Sequence, residues 1–202
     1  MPKVNEETTD EELVVLTLQD SQYLQYLIQR YEKKLFYYLK RLLSIDDHSC
    51  EDLLQEIFIK TYQNLNNFDT SLKFSSWIYR ISRNEAIDYY RKYRNQKEGS
   101  LHDEDGKDLT DYIPDSCDLH AEFTKKEISK AVSETLSLLP LKYKDVLVLY
   151  YLEDKSYDEI SDILQKPAGT IATLLNRAKQ SYKHIATEHQ LHTFLDTVKQ
   201  PL

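Results

Sequence analysis

Residues Asp52–Arg94 read DLLQEIFIKTYQNLNNFDTSLKFSSWIYRISRNEAIDYYRKYR, two helical patterns around a short polar loop. Advancing about 100° per residue from Trp77, the side chains of Trp77, Arg80, Arg83, Asn84, Arg91 and Arg94 fall within roughly a third of the circumference. Ile87 shares that sector and Asp88 lies at its edge, while Ile78, Glu85, Tyr89 and Tyr93 point to the opposite side. Arginines on one face suit a phosphate backbone, and an indole beside them offers a flat surface for an unstacked base. A solvated charged face gives the same pattern, so this helix alone leaves both readings open.

The preceding helix adds a second signal. From Asp52 to Leu65, a stripe of Leu54, Phe58, Tyr62 and Leu65 is expected to enter a core. The opposite stripe sets Asp52, Gln55, Glu56 and Gln63 around Ile59. An apolar residue ringed by polar ones is the pattern of a small docking patch, and equally of an ordinary isolated surface residue.

Long stretches of helical periodicity, interrupted by only three glycines and five prolines, predict an all-α chain of two small helical domains. So few glycines exclude most phosphate-cradling loops. Cys50 and Cys117 have no second cysteine at metal or redox spacing and fit a reducing compartment. His184, His189 and His192 are loosely spaced with no ligating partner nearby, so neither a metal nor a cofactor is expected. The acidic N-terminus lacks a signal-peptide pattern and no apolar run reaches the length of a membrane span, which predicts a soluble cytoplasmic protein.

The net charge of −8 is unevenly distributed. Residues 1–67 carry a net −5, residues 68–94 a net +3, residues 95–125 a net −6, and residues 126–202 balance. Positive charge is thus concentrated on the Trp77–Arg94 pattern. Overall acidity weakens non-specific DNA binding by the chain alone, since such binding comes mainly from phosphate neutralisation. The segment 95–125, polar and with Gly99 and Gly106, reads as an inter-domain linker.

In the C-terminal half a helix is expected from about Lys126 to Leu139, and Pro140 opens the next. Ser156-Tyr-Asp-Glu159 is a capping-box sequence. The short helix it starts is followed by a turn at Lys166-Pro-Ala-Gly169 and a longer helix from about Thr170. That order is a helix-turn-helix, whose second helix enters a major groove. Ile171, Leu175, Ala178, Tyr182 and Ile185 form its expected core stripe, and Thr173, Asn176, Arg177, Gln180 and Lys183 its outward face. From Lys166 to Lys183 there are four basic residues and no acidic one.

The order DLLQEIFIKTY, then FDTSLKFSSWIYRISRNEAIDYYRK, resembles region 2 of the sigma-70 superfamily in its extracytoplasmic-function (ECF, group 4) branch. Asp10-Glu-Glu-Leu and Tyr23–Leu43 resemble the opening helices of that domain, and Leu139-Pro140 through Ile185 resembles region 4. The resemblance covers roughly residues 10–94 and 126–186, leaving 187–202 as a tail without assignment. It implies a sigma factor without intrinsic catalysis, a partner of bacterial core RNA polymerase and of promoter DNA, held in some members by an anti-sigma factor. Asp52, Gln55, Glu56 and Ile59 would dock on the clamp helices of the polymerase β′ subunit, with the β subunit also in contact. Phe68, Lys73, Trp77, Arg80, Arg83, Asn84, Arg91 and Arg94 would hold the non-template strand of the −10 element, the loop Phe68–Phe74 taking one flipped base. Thr173, Asn176, Arg177, Gln180 and Lys183 would read the −35 element. The linker carboxylates Asp103, Glu104, Asp105 and Asp108 would lie along a basic polymerase channel.

One departure stands out. The family commonly reads Gly-Thr-Val-Lys-Ser-Arg where this chain has Gly169-Thr170-Ile171-Ala172-Thr173-Leu174, so alanine and leucine replace two frequent basic contacts. A weaker or differently specified −35 contact is expected. Two rivals stay open on sequence alone. A helix-turn-helix regulator would bind DNA without polymerase, but it has no need of an arginine–tryptophan face on its other domain. A nucleic-acid enzyme would need clustered carboxylates, zinc spacing or an activated nucleophile, and none is evident.

Overall fold

The computed structural model describes residues 4–5, 7–98 and 123–188, with side chains described to Tyr93 and from Lys130. All regular structure in these residues is helical, and it gathers into two compact units. The linker carboxylates Asp103, Glu104, Asp105 and Asp108, together with Cys117, His189, His192 and the tail beyond Glu188, lie outside the described residues.

The first unit is built from α1 (Asp10–Gln19), α2 (Leu24–Leu43), α3 (Asp47–Asn64) and α4 (Phe74–Glu98). Along α2, Leu27, Tyr31, Leu35, Tyr38, Leu39 and Leu42 recur at three- and four-residue steps and are buried, which makes this helix the spine against which α3 and α4 pack. Ser44 ends α2 in the left-handed region (φ 55°). Asp46 then caps α3, accepting from the Ser49 amide at 2.9 Å.

On α3 the buried stripe is Cys50, Leu53, Leu54, Ile57 and Thr61, continued by Leu65. This corrects the expected stripe. Leu54 and Leu65 belong to it, but Phe58 is only half-buried and Tyr62 is 46% exposed. The small and branched residues lie at the centre of the stripe and the large aromatics at its rim. Thr61 is tolerated inside because its hydroxyl donates to the Ile57 carbonyl at 2.7 Å. Burial pushes the Cys50 thiol up to about 12, so it packs as a small apolar group and is not a reactive thiol.

The second unit centres on α5 (Phe123–Ser137), α6 (Leu141–Leu147) and α8 (Ala168–Glu188). Pro140 is the N-cap of α6, and a π-turn over Val148–Leu152 follows that helix. Helix α7 (Tyr157–Leu164) begins with the expected capping box, since Glu159 Oε2 accepts from the Ser156 amide at 3.0 Å and Ser156 Oγ from the Glu159 amide at 3.2 Å.

The turn after α7 differs from expectation. Its left-handed residue is Gln165 (φ 51°), and the Lys166 amide closes back on the Ser161 carbonyl at 3.1 Å, the geometry of a Schellman stop. Pro167 supplies the carbonyl that accepts from Thr170 and Ile171, so Gly169 lies inside the first turn of α8. The expected helix start at Thr170 moves to Ala168 because proline, not glycine, forms the boundary. Helix α4 likewise runs beyond Arg94 to Glu98, and α5 begins at Phe123 ahead of Lys126.

Candidate nucleic-acid and polymerase interfaces

Helix α4 buries Phe74, Ile78, Tyr79, Ser82 and Ala86 and turns the other side outward. Trp77, Arg80 and Arg83 are half-buried on that side, and Asn84 and Arg91 are exposed. Arg91 lies 3.8 Å from Asp88, a loose pair with both side chains more than half exposed, so it is weakly held. Among the described residues Arg80 has no hydrogen-bond or ion-pair partner. The side chain of Arg94 lies outside the described residues.

The loop before α4 is tightly turned. Asp69 accepts from the Ser71 amide at 2.9 Å, and the Leu72 amide returns to the Asp69 carbonyl at 3.0 Å. These bonds to Ser71 hold the Asp69 carboxyl below its ordinary range, so the turn is at full strength at neutral pH. Beneath the loop, Phe68 packs at 5.1 Å from the Trp77 ring and 5.5 Å from the Phe74 ring, with Phe74 5.6 Å from Trp77. Phe68 is only 7% exposed. Its ring packs against the indole instead of presenting a face to solvent in the free chain. Lys73 is exposed as the last residue before α4. Leu72, 55% exposed beside it, is an apolar loop residue that periodicity did not single out.

On α3, Asp52, Gln55, Glu56 and Ile59 are all exposed, with Ile59 at 57%. Tyr62, displaced from the expected core, joins Ile59 three residues on, so the patch holds two large apolar side chains within its polar ring. Lys60 closes one edge by pairing with Glu85 of α4, and that hydrogen bond raises its amine above the ordinary value. Glu85, Asp88, Tyr89, Lys92 and Tyr93 of α4, with Leu53 and Glu56 of α3, line a surface cleft of about 250 Å³. Tyr93 was expected on the core side but is 44% exposed, its ring parallel to that of Tyr89 at 6.4 Å.

On α8 the buried stripe is Ile171, Leu175, Ala178, Tyr182 and Ala186; Ile185, expected there, is half-buried at its flank. Thr173, Asn176, Arg177, Gln180 and Lys183 are exposed together on the other side. Thr173 Oγ1 donates to the Gly169 carbonyl at 3.0 Å. Lys179 sits over the Tyr151 and Tyr150 rings at 5.5 and 5.9 Å, so its charge is engaged within the unit. Ala172 and Leu174, the two departures from the family pattern, are half-buried.

The helical segments that carry the α4 and α8 faces match known protein families in the same order. Residues 27–96 match the family model of Sigma-70 region 2, and residues 129–189 that of Sigma-70, region 4. The ECF RNA polymerase sigma factor SigW of Bacillus subtilis is 32% identical over 160 residues, spanning 78% of this chain and 85% of the relative. The chain belongs to the ECF RNA polymerase sigma factors. The ECF sigma-E factor of Haemophilus influenzae is 31% identical over 179 residues, covering 87% of this chain and 94% of the relative. Among solved structures, CnrH in complex with the cytosolic domain of CnrY shares the fold at a TM-score of 0.66 and 19% identity, covering 89% of this chain and 97% of that one. The sigma factor RpoE of Bartonella quintana, solved with the anti-sigma factor NepR, shares it at 0.59 and 20%, covering 81% and 96%. Among the described residues no three His, Cys, Asp or Glu side chains gather as a metal site, and no helix is long and apolar enough to cross a membrane.

Proposed function

We propose that this ECF sigma factor divides its work among three surfaces. The α3 patch of Asp52, Gln55, Glu56, Ile59 and Tyr62 docks on the β′ clamp helices of core RNA polymerase. The outward face of α4, with Lys73 and the loop before it, holds the non-template strand of the −10 element. The face of α8 bearing Thr173, Asn176, Arg177, Gln180 and Lys183 meets the −35 element. No step requires a catalytic group of this chain. The work is binding energy directed at an opened strand, which offsets an unstacking cost of a few kcal/mol per base.

The observation that carries this reading is the α4 face: an indole braced by two phenylalanines, with arginines along the same side and the core stripe opposite. Stacking tolerates any base, because every base has a π-face, and the cations hold the phosphates between successive bases. Sequence preference then comes from Asn84 and the loop. A DNA regulator acting alone would have no use for this face, and family membership also favours the polymerase-dependent reading. An anti-sigma factor covering these surfaces is a further partner of the class seen with RpoE.

The test is saturable binding to bacterial core polymerase, followed by transcription of a genomic promoter library with and without the chain. Start sites that depend on the chain are expected. Sequence-specific DNA binding by the free chain, with no core binding, would overturn the reading.

A further inference from the structure

Helix α1 lies before the segment that matches region 2, yet its first turn reaches the start of α4. Three successive carboxylates there do three different things. Glu12 closes a capping box with Thr9, accepting from the Thr9 amide at 2.8 Å while Thr9 Oγ1 accepts from the Glu12 amide at 3.2 Å. Asp10 accepts from Arg30 Nη1 at 2.6 Å and from the Tyr31 hydroxyl, and Arg30 also donates to the Thr8 carbonyl at 2.7 Å. Burial and the bond to Asp10 raise the Tyr31 phenol above its ordinary value, so it stays protonated and donating. These contacts fasten α1 to α2.

Glu11, between them, accepts from the backbone amide of Phe74 at 2.9 Å across 63 residues of chain. Phe74 opens α4, whose first turn contains no acidic residue. Its amide is one of the donors that a helix leaves unsatisfied at its N-terminus, and a carboxylate there also meets the positive end of the helix dipole. The Tyr31 ring lies 5.5 Å from the Phe74 ring, which in turn packs on Phe68 and Trp77. One continuous set of contacts therefore runs from the first turn of α1 to the residues at the start of the strand-holding face.

We propose that Glu11 is a positioning residue for −10 recognition: its carboxylate, delivered by α1, fixes the start of α4 so that Lys73, Trp77 and Arg80 meet the opened strand in one geometry. This rests on the assignment of the α4 face to the −10 strand. Glu11 touches no DNA. It acts through the Phe74 amide, and the docking patch on α3 does not depend on it.

The test uses holoenzyme reconstituted from core polymerase and the full chain, with a single-stranded non-template oligonucleotide from a promoter recovered by start-site mapping. Glu11→Ala is expected to weaken oligonucleotide affinity about fivefold, the fold-change expected for loss of one helix cap, with affinity for core unchanged. Glu11→Gln, which keeps an acceptor without the charge, is expected to recover part of that loss. Arg80→Ala is the control for the parent reading. If Arg80→Ala weakens the oligonucleotide but Glu11→Ala does not, the positioning role is overturned and the −10 assignment stands. If wild-type holoenzyme does not bind the oligonucleotide, or Arg80→Ala leaves binding unchanged, the parent assignment fails. Equal losses of core and strand affinity in Glu11→Ala, unrelieved in Glu11→Gln, would reduce Glu11 to general stability and also overturn the proposal.

Discussion

The α8 face proposed to meet the −35 element makes a quantitative prediction. Of the basic residues on this helix, Arg177 and Lys183 are exposed, whereas Lys179 is half-buried over Tyr150 and Tyr151. Positions 172 and 174, where the resemblance implies basic contacts, hold alanine and leucine. At most two phosphates are then neutralised by the exposed cations of this helix, and each contributes a slope of about −0.9 to log K against log salt on duplex DNA. Arg177→Ala with Lys183→Ala is therefore expected to flatten the slope by about 1.8. Between about 50 and 200 mM salt, wild-type holoenzyme should lose roughly twelvefold more affinity than the double variant. The assay is equilibrium binding of reconstituted holoenzyme to a promoter fragment across that range. Asn176→Ala and Gln180→Ala should instead change the preferred −35 sequence and leave the slope alone, since base edges carry sequence and phosphates do not. A double variant with the wild-type slope, or a Lys179→Ala variant that flattens it as much as the pair, would refute the assignment.

Three further outcomes follow from the geometry. Reversing charge with Asp52→Lys and Glu56→Lys should weaken core polymerase binding by about tenfold or more while leaving helical content intact, measured by titration against labelled core and by circular dichroism. Gly169→Ala should raise stability by about 0.5–1 kcal/mol, seen as a higher urea midpoint, because Gly169 lies in the first turn of α8 and an added methyl meets nothing within 4 Å. Burial pushes the Lys144 amine down from 10.5 to about 8, so below pH 8 the folded chain carries a penalty on the order of 3 kcal/mol that fades as pH rises toward 10.5, where the unfolded chain also loses its proton; Lys144→Met should stabilise at pH 7, and an undiminished gain in urea melts near pH 10.5 would contradict that cause.

Helix existence was legible because each long helix carries its own stripe: the three- and four-residue steps of Leu27, Tyr31, Leu35, Tyr38 and Leu42 need no tertiary information. The outward residues of α4 and α8 were legible for the same reason, since periodicity that identifies one face identifies the other. Where two faces compete, periodicity falls short. On α3 both Cys50–Ile57–Thr61 and Phe58–Tyr62 repeat at helical spacing, and only packing against α2 and α4 selects the first. Side-chain type misled there: Thr61 is buried with its hydroxyl donating to the Ile57 carbonyl, while the larger Tyr62 stays at the exposed rim. The turn was legible at Lys166-Pro-Ala-Gly169, but its left-handed residue, Gln165, lies one position earlier and is a residue type that carries no turn signal. Glu11 was illegible in principle: a carboxylate that caps a helix 63 residues away leaves no local pattern.

The charge distribution ties these surfaces together. In the proposed reading each DNA-facing helix offers only a few cations on a chain whose net charge is −8, so neither face is expected to bind duplex tightly alone. Joining two weak sites raises affinity only when both are engaged at once, and then by the effective concentration that their geometry sets. A polymerase that engages both units, the first through the proposed α3 patch, would set that geometry and offset the net negative charge with basic surface of its own. The weakness of each face is then what makes promoter choice depend on the assembly: a sigma factor whose α8 bound its element strongly alone would occupy promoters without polymerase and block them. On the proposed assignment, Ala172 and Leu174 at positions where the resemblance implies cations would move this chain further in the direction of dependence, and leave more of its discrimination to the braced tryptophan and arginines of α4.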